Sequence, residues 1–160
     1  WDCLVETGHI TASILFLIVA ASMYSRMLGF AGLPTLFQAW LDDQGYGVIG
    51  LMLIYIPMLL LLGTIIDTAS MILIVAPLFL PAIEALGLDL VWFGIVTVIA
   101  AEIGLLTPPL GISCFVIKST LNDPTIKLSD IFAGAFPFAV IMCLVLLAII
   151  EWPQLSLALI

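Results

Sequence analysis

Residues 102–111 read EIGLLTPPLG, set inside an almost uninterrupted apolar run. Pro108 and Pro109 remove two backbone donors in succession, and their rings clash with carbonyls one turn back. Thr107 precedes a proline and is itself pushed out of helical geometry. A helix that enters this stretch must break. The carbonyls that lose their donors would be costly in lipid, so they need a partner, and a cation can be one. Gly111 lets the backbone approach a ligand closely, and a helix resuming at Ile112 offers a positive start. Unwound carbonyls that bind Na⁺, with half-helix N-termini facing anionic groups, are a device of secondary transporters at the bilayer midplane.

Composition fixes the solvent. Of 160 residues 64% are hydrophobic and 9% charged, against roughly 45–50% and about 25% in a soluble domain. Such a chain lives in a bilayer. Three Lys+Arg against eleven Asp+Glu leave a net charge of −8, which excludes the basic face a nucleic-acid partner requires. Cys3, Cys114 and Cys143 form no CxxC pair, and His9 is the sole histidine, so no metal site other than one for Na⁺ is expected. The chain opens at Trp1 without an initiator Met; it is expected to be a piece of a longer polypeptide, and no signal peptide is visible.

Outward from the break, four or five segments are apolar enough to span, at about 20 residues each. Residues 1–45 hold a first transmembrane helix, Ile10 to about Leu28, ended by Gly29, Gly32 and Pro34. A short amphipathic helix follows over 34–45, with Leu36, Phe37, Trp40 and Leu41 on its apolar side, and lies at the interface. Residues 46–121 form a transport-type unit: two limbs, 46–62 and 68–86, joined through GTIID at 63–67, then a helix over 90–121 broken at 107–111. The limbs are either two full spans or a re-entrant hairpin. Irregular backbone at membrane depth needs cover from protein or a water-filled cavity, and the weakly polar tip favours the re-entrant hairpin. Pro77 and Pro81 remove helix hydrogen bonds from the returning limb. Residues 122–160 are a polar loop (NDPTIKLSD, 122–130, with Asp130 placed to cap) and a last span, 131–150, that exits at Trp152. Lys118 and Lys127 fall on one side of the membrane; Arg26, Asp42, Asp43, Glu84 and Asp89 fall on the other. The basic pair gives the 122–130 side a vote for the cytoplasm.

The hairpin tip supplies the second half of a candidate site. Gly63 frees the backbone, Thr64, Thr68 and Ser70 bring hydroxyls, and Asp67 brings a carboxylate; oxygen ligands suit a hard cation. The ion-binding set is Gly63, Asp67, Thr68, Thr107, Pro108 and Gly111, with Ser70 and Pro109 facing substrate. Plainer readings stand beside it. The double proline can be a kink satisfied by neighbouring helices, Asp67 a helix cap, and Gly94 and Gly104 points of close helix packing. Glu102, an intramembrane carboxylate, can be a ligand, a protonated acid, or a partner of another helix. An intramembrane enzyme with Asp67 and Glu102 as an acid pair lacks a nucleophile–base pair, so no catalytic residue and no cofactor are expected.

GTIIDTASMILIVAPLFLPAIEALGLD followed by WFGIVTVIAAEIGLLTPPLG resembles the C-terminal half of the large membrane subunit of TRAP transporters, the tripartite ATP-independent periplasmic transporters. The resemblance covers roughly residues 8–153. Its densest motifs are D-x-x-x-M-I-L-I-x-x-P-x-x-x-P and I-G-x-x-T-P-P-x-G. Where that family often carries a basic residue shortly before Pro137-Phe138, this chain has Ala133-Gly134. The resemblance implies an all-α polytopic protein of the bacterial inner membrane, half of an inverted-repeat elevator transporter with a re-entrant hairpin and a broken transmembrane helix. It implies a Na⁺-coupled symporter of a small carboxylate, sialic acid or a C4-dicarboxylate, and not an enzyme. It implies as partners a small membrane subunit, a periplasmic substrate-binding protein, and an N-terminal repeat of the same subunit. The contrasting expectation is a membrane scaffold or channel-like subunit in which the TPP break is only structural.

Overall fold

The computed structural model describes residues 1–158 except Asn122 and Pro124, and for Asp42 the helical backbone alone. The described residues form α1 (Asp2–Ala31), α2 (Leu33–Asp43), α3 (Val48–Gly63), α4 (Thr68–Ala85), α5 (Leu90–Leu106), α6 (Ile112–Leu121), α7 (Leu128–Glu151) and α8 (Gln154–Leu157). No strand occurs among them. The fold is all-α, as expected.

Helix α5 is the centre. Helices α3, α4, α6, α7 and α8 all pack on it, while α1 and α2 pack on α4. The buried residues of α3 are Leu51, Met52, Tyr55, Leu59 and Gly63, which recur at the three-to-four spacing of one helix face. They meet the α5 face built on Trp92, Phe93, Val96, Ala100 and Ile103. Inside this interface Tyr55 Oη lies 2.8 Å from Thr97 Oγ1. Thr97 spends its own hydrogen on the Phe93 carbonyl at 2.7 Å, so Tyr55 is the donor of the pair. Tightest of all is the end of α3, where Gly63 lies against Gly104. A Cβ on Gly63 would sit 2.8 Å from the Ala101 carbonyl oxygen, and one on Gly104 would sit 2.8 Å from Gly63 Cα. Gly94, by contrast, has open space where a Cβ would go.

Helix ends follow local chemistry. Asp67 caps α4, its carboxylate accepting from the Ser70 N–H at 3.0 Å. Asp89 caps α5 by accepting from Val91 and Trp92. Gly32 ends α1 at φ 68, in the left-handed region that glycine enters without steric cost. Asp130 lies inside the first turn of α7 and reaches back to accept from the Lys127 N–H at 2.9 Å; the cap position itself is Lys127. In the 122–130 loop, Lys118 Nζ donates to the carbonyls of Asp123 and Ile126 at 2.6 and 2.5 Å. The side-chain and backbone hydrogen bonds from Thr125 hold the Asp123 carboxyl below its usual range.

Several boundaries differ from the sequence expectation. Helix α1 starts at Asp2 rather than Ile10 and runs past Gly29, because the left-handed turn falls at Gly32. Pro34 is tolerated as the second residue of α2, where no intrahelical donor is lost. Helix α4 stays continuous through Pro77 and Pro81, as α3 does through Pro57 and α7 through Pro137. The expected loop at 122–130 includes Asn122 and Pro124, which lie outside the described residues, as does the Asp42 side chain. Helix α8 follows Pro153 and was not expected.

Four or five spans were expected; among the described residues three helices, α1, α4 and α7, are long and apolar enough to cross a membrane. Helices α3, α5 and α6 are apolar but shorter. At 1.5 Å per residue they reach about 24, 26 and 15 Å, against a hydrocarbon core of about 30 Å. Helix α1 is apolar all round and buries only Leu28.

The glycine contact makes a prediction. Gly63→Ala and Gly104→Ala each drive a methyl into opposing backbone, an overpacking that costs typically about 1–3 kcal/mol. Both lower the melting temperature of the purified protein in detergent. Gly94→Ala, which meets nothing and gains helix propensity, leaves it unchanged or raises it. Equal behaviour of all three would show that the α3–α5 approach is not close.

Candidate functional site

The two irregular segments meet on the last turns of α5. The hairpin tip is residues 64–67 and the break is residues 107–111; both are non-helical. Gly63 itself closes α3. At the tip, the Leu61 carbonyl takes the Thr64 N–H at 3.3 Å and its hydroxyl at 2.8 Å, and the Leu62 carbonyl takes the N–H groups of Ile65 and Ile66. Thr64 is therefore buried and turned inward, a C-terminal cap of α3, while Ile65 is 58% exposed.

Thr68, the first residue of α4, donates from Oγ1 to Glu102 Oε1 at 2.8 Å. This bond joins the returning limb of the hairpin to α5 across 34 residues of sequence. It makes Glu102 a partner of another helix, one of the three roles its position in the sequence left open. Both residues are half-buried.

At the break, Thr107 turns its hydroxyl back onto α5, donating to the carbonyls of Ile103 at 2.8 Å and Gly104 at 3.1 Å. Gly104 also accepts the Thr107 N–H at 3.1 Å. Beyond it, no N–H of residues 107–111 donates to the carbonyls of Leu105 or Leu106. Pro109 accounts for Leu105, since it stands where that carbonyl's donor would be, as Pro108 does for Gly104. The Cys114 thiol approaches the Leu106 carbonyl at 3.9 Å, a weak donor at long range. These carbonyls are the oxygen ligands on offer.

The expected site residues divide. Gly63, Thr68 and Thr107 all bear on the turn of α5 that contains Glu102, Ile103 and Gly104. Asp67 adjoins Thr68, is exposed, and caps α4. Pro108 and Pro109 are exposed, and Pro108 lines a groove with Phe132 and Phe136 of α7. Gly111 is buried at φ 51, and the neighbour its missing Cβ admits is Phe132, whose Cε1 would be 2.7 Å away. Its carbonyl accepts from Cys114 and Phe115 in the first turn of α6. Ser70 lies in a groove with Leu17, Ala20, Ala21 and Tyr24 of α1.

Two features escaped the sequence reading: the pairing of Thr68 with Glu102, and the stacking of Gly63 on Gly104. A signal existed. Gly104 follows Glu102 by two residues and Thr68 follows Gly63 by five, so stacking the glycines brings the carboxylate and hydroxyl to one level. Nothing in either stretch alone announces the match.

The comparisons agree with the earlier resemblance. The family described as the tripartite ATP-independent periplasmic transporter, DctM component, matches residues 1–155. The C4-dicarboxylate TRAP transporter large permease protein DctM of Pseudomonas aeruginosa is 31% identical over 156 residues, covering 98% of this chain and 36% of that protein. The ectoine TRAP transporter large permease protein TeaC of Halomonas elongata is 32% identical over 155 residues, 95% of this chain and 35% of its own. The sialic acid TRAP transporter large permease protein SiaM of Vibrio cholerae is 28% identical over 158 residues, 99% and 36%. The chain spans a little over a third of the length of these relatives.

The cap at Asp67 is testable apart from any ion. Asp67→Ala removes the acceptor for the Ser70 N–H and costs about 1 kcal/mol, whereas Asn at that position caps about as well as Asp. Melting of the purified protein falls for Asp67→Ala and is retained for Asp67→Asn. A loss of equal size in both would mean that the charge, rather than the cap, stabilises the tip.

Proposed function

The chain belongs to the DctM component family of tripartite ATP-independent periplasmic transporters, and on that premise we propose that it forms part of a Na⁺-coupled symporter. Its relatives are permeases, and the chain itself is a multi-pass membrane protein. The proposed cargo is a small carboxylate of the C4-dicarboxylate or sialic acid type, delivered by a periplasmic binding protein. A small membrane subunit and the rest of the large subunit complete the machine, which sits in the bacterial inner membrane and works by an elevator movement. In this reading the α3–α4 pair is a re-entrant hairpin, and α5 and α6 are the two halves of one broken helix.

The observation that carries the reading is the convergence of hairpin tip and helix break on one turn of α5. Carbonyls at Leu105 and Leu106 that receive no backbone N–H, and hydroxyl oxygens of Thr68 and Thr107 whose hydrogens are spent on α5, supply oxygens of the kind a hard cation prefers. Charge supports it as well. Asp67 and Glu102 stand at this junction, and Arg26, Lys118 and Lys127 are the chain's whole basic complement. A cation bound at this junction would offset the acidic charge that a carboxylate substrate meets, so the two would favour each other's binding.

A second reading rests on one specific observation. The Thr107 hydroxyl already bonds to Ile103 and Gly104, as a threonine does when it simply repairs a kink. Under that reading the protein is a scaffold or channel-like subunit and the break binds nothing.

Sealed vesicles decide between them. The full-length permease, reconstituted with its small subunit and binding protein, takes up its carboxylate only with an inward sodium gradient; uptake indifferent to sodium leaves the scaffold reading standing. Thr107→Ala removes one ligating oxygen at about 1–3 kcal/mol, each 1.4 kcal/mol being tenfold in affinity. The sodium concentration for half-maximal uptake rises several-fold or more in Thr107→Ala, far less in Thr107→Ser, and not in Ser119→Ala, an exposed hydroxyl on α6. An unchanged sodium dependence in Thr107→Ala assigns the double proline to a kink.

Topology has its own test. Ile65→Cys is preferable to a cysteine at the buried Thr64, since Ile65 is 58% exposed. A re-entrant tip is not labelled by an impermeant reagent applied from the face opposite Gly45 and Gly87. Ready labelling from that face means two full spans.

A further inference from the structure

The two hydroxyls at the junction have their hydrogens committed to three successive residues of α5. Thr68 gives its hydrogen to Glu102 Oε1. Thr107 gives its hydrogen to the carbonyls of Ile103 and Gly104. A hydroxyl has one hydrogen and two lone pairs, so both oxygens are left as acceptors only. An anion needs donors, and these groups have none to give; a cation or a hydrogen-bond donor needs lone pairs, and each of these oxygens presents them. Neither hydroxyl is set to hold an anion.

The two cases differ in what enforces the orientation. For Thr107 it is backbone, which a substitution cannot remove. For Thr68 it is one side chain. Of the two Glu102 oxygens, Oε1 is occupied by the Thr68 hydrogen, and an ion placed on it would compete for the same lone pairs; an ion on Oε2 would draw the carboxylate away from Thr68, and the glutamine variant below separates the two cases. The carboxylate reaches across to the first residue of α4, at the junction of the hairpin tip with that limb. It thereby sets both the position of α4's start and the direction in which the Thr68 oxygen looks.

We infer that Glu102 is a positioning residue for the coupling cation: it takes the Thr68 hydrogen, fixes the Thr68 oxygen as a ligand, and does not bind the ion itself. The inference rests on the cation-binding reading above and goes beyond it by assigning the carboxylate a part.

The test uses sodium alone as the probe. The full-length permease in detergent is melted over a series of NaCl concentrations, with choline chloride holding ionic strength constant. The rise in melting temperature gives an apparent sodium dissociation constant. Glu102→Met, an apolar side chain of similar length, raises that constant by about tenfold, the effect of losing about 1.4 kcal/mol. Glu102→Gln retains a carbonyl oxygen for Thr68 and stays within about twofold of wild type on the same scale. Thr68→Val matches Glu102→Met, and Thr68→Ser stays close to wild type. In the double variant Thr68→Val/Glu102→Met the constant is no weaker than in Thr68→Val alone, because the two act as one unit.

Three results overturn the inference. Glu102→Gln as weak as Glu102→Met makes the charge itself a ligand. Additive losses in the double variant make the two residues independent. Lower sodium-free melting with an unmoved constant makes the pair a structural latch and nothing more. Should Glu102→Met not fold, Glu102→Gln, Thr68→Val and Thr68→Ser still decide: a strong loss in Thr68→Val with both conservative variants intact supports the role, and a loss in Glu102→Gln sinks it. A wild-type protein that sodium fails to stabilise overturns the cation reading itself, a result distinct from a responsive wild type with unmoved variants.

Discussion

The contact of Gly63 on Gly104 is the constraint from which the rest of the junction follows. Two helices normally keep their axes 8–10 Å or so apart because side chains stand between them. Here neither residue has one, and the end of α3 lies on the backbone of α5. That contact fixes the depth at which the hairpin turns, and the turn fixes where α4 begins. Thr68, the first residue of α4, then comes within 2.8 Å of Glu102. A shift of one residue along α5 would turn its side chains by about 100° and carry the carboxylate away from the hydroxyl. In lipid the hydrophobic effect does not hold helices together, so close packing of small residues and interhelical hydrogen bonds take its place. The α3–α5 pair uses both, with Tyr55 and Thr97 joined further up the same interface.

The prolines of this chain show how selectively its orphaned carbonyls are treated. Pro153 cannot donate to the Ile149 carbonyl one turn back, and the Trp92 indole N–H fills the vacancy at 2.9 Å. That repair also fastens α5 to α7. Pro108 and Pro109 create the same deficit at the end of α5. There Thr107 repairs Ile103 and Gly104, and the repair stops. The carbonyls of Leu105 and Leu106 receive no N–H from the segment that follows them. The chain thus fills the deficits that Pro153 and Pro108 create, at Ile149 and Gly104, and leaves open the one that Pro109 creates at Leu105.

Much of this was legible in the sequence, and the part that was not has a physical explanation. The ends of α5 and α6 at Leu106 and Ile112 follow from the chemistry of proline and glycine, which acts within a few residues. Asp67 and Asp89 declared the starts of α4 and α5 for the same reason. Helix α1 was read too short because the sequence was read for an apolar span, Ile10 to about Leu28, whereas the helix itself starts at Asp2 and runs on to the left-handed turn at Gly32. The break was legible as a place; its wiring was not. Gly111 reads as room for a ligand until α7 folds back and puts Phe132 into that space. Ser70 reads as part of a polar tip until α1 packs beside it. Sequence spacing carries the period of a helix but not the rotation of one helix against another, and every misplaced side chain here depends on that rotation.

Cohesion is uneven across the fold. Helices α3 and α5 share close-packed glycines, a buried hydrogen bond and a continuous apolar face. Helix α1 buries Leu28 and little else. Local opening in a protein takes place where few contacts must be broken. A movement that parts α3 from α5 must separate backbone from backbone. The tip is intermediate: α4 is held at its start by the single bond from Thr68 to Glu102 and by the Asp67 cap. Opening the tip while α3 stays fixed on α5 breaks that polar pair and uncovers Met71, which is fully buried in the first turn of α4.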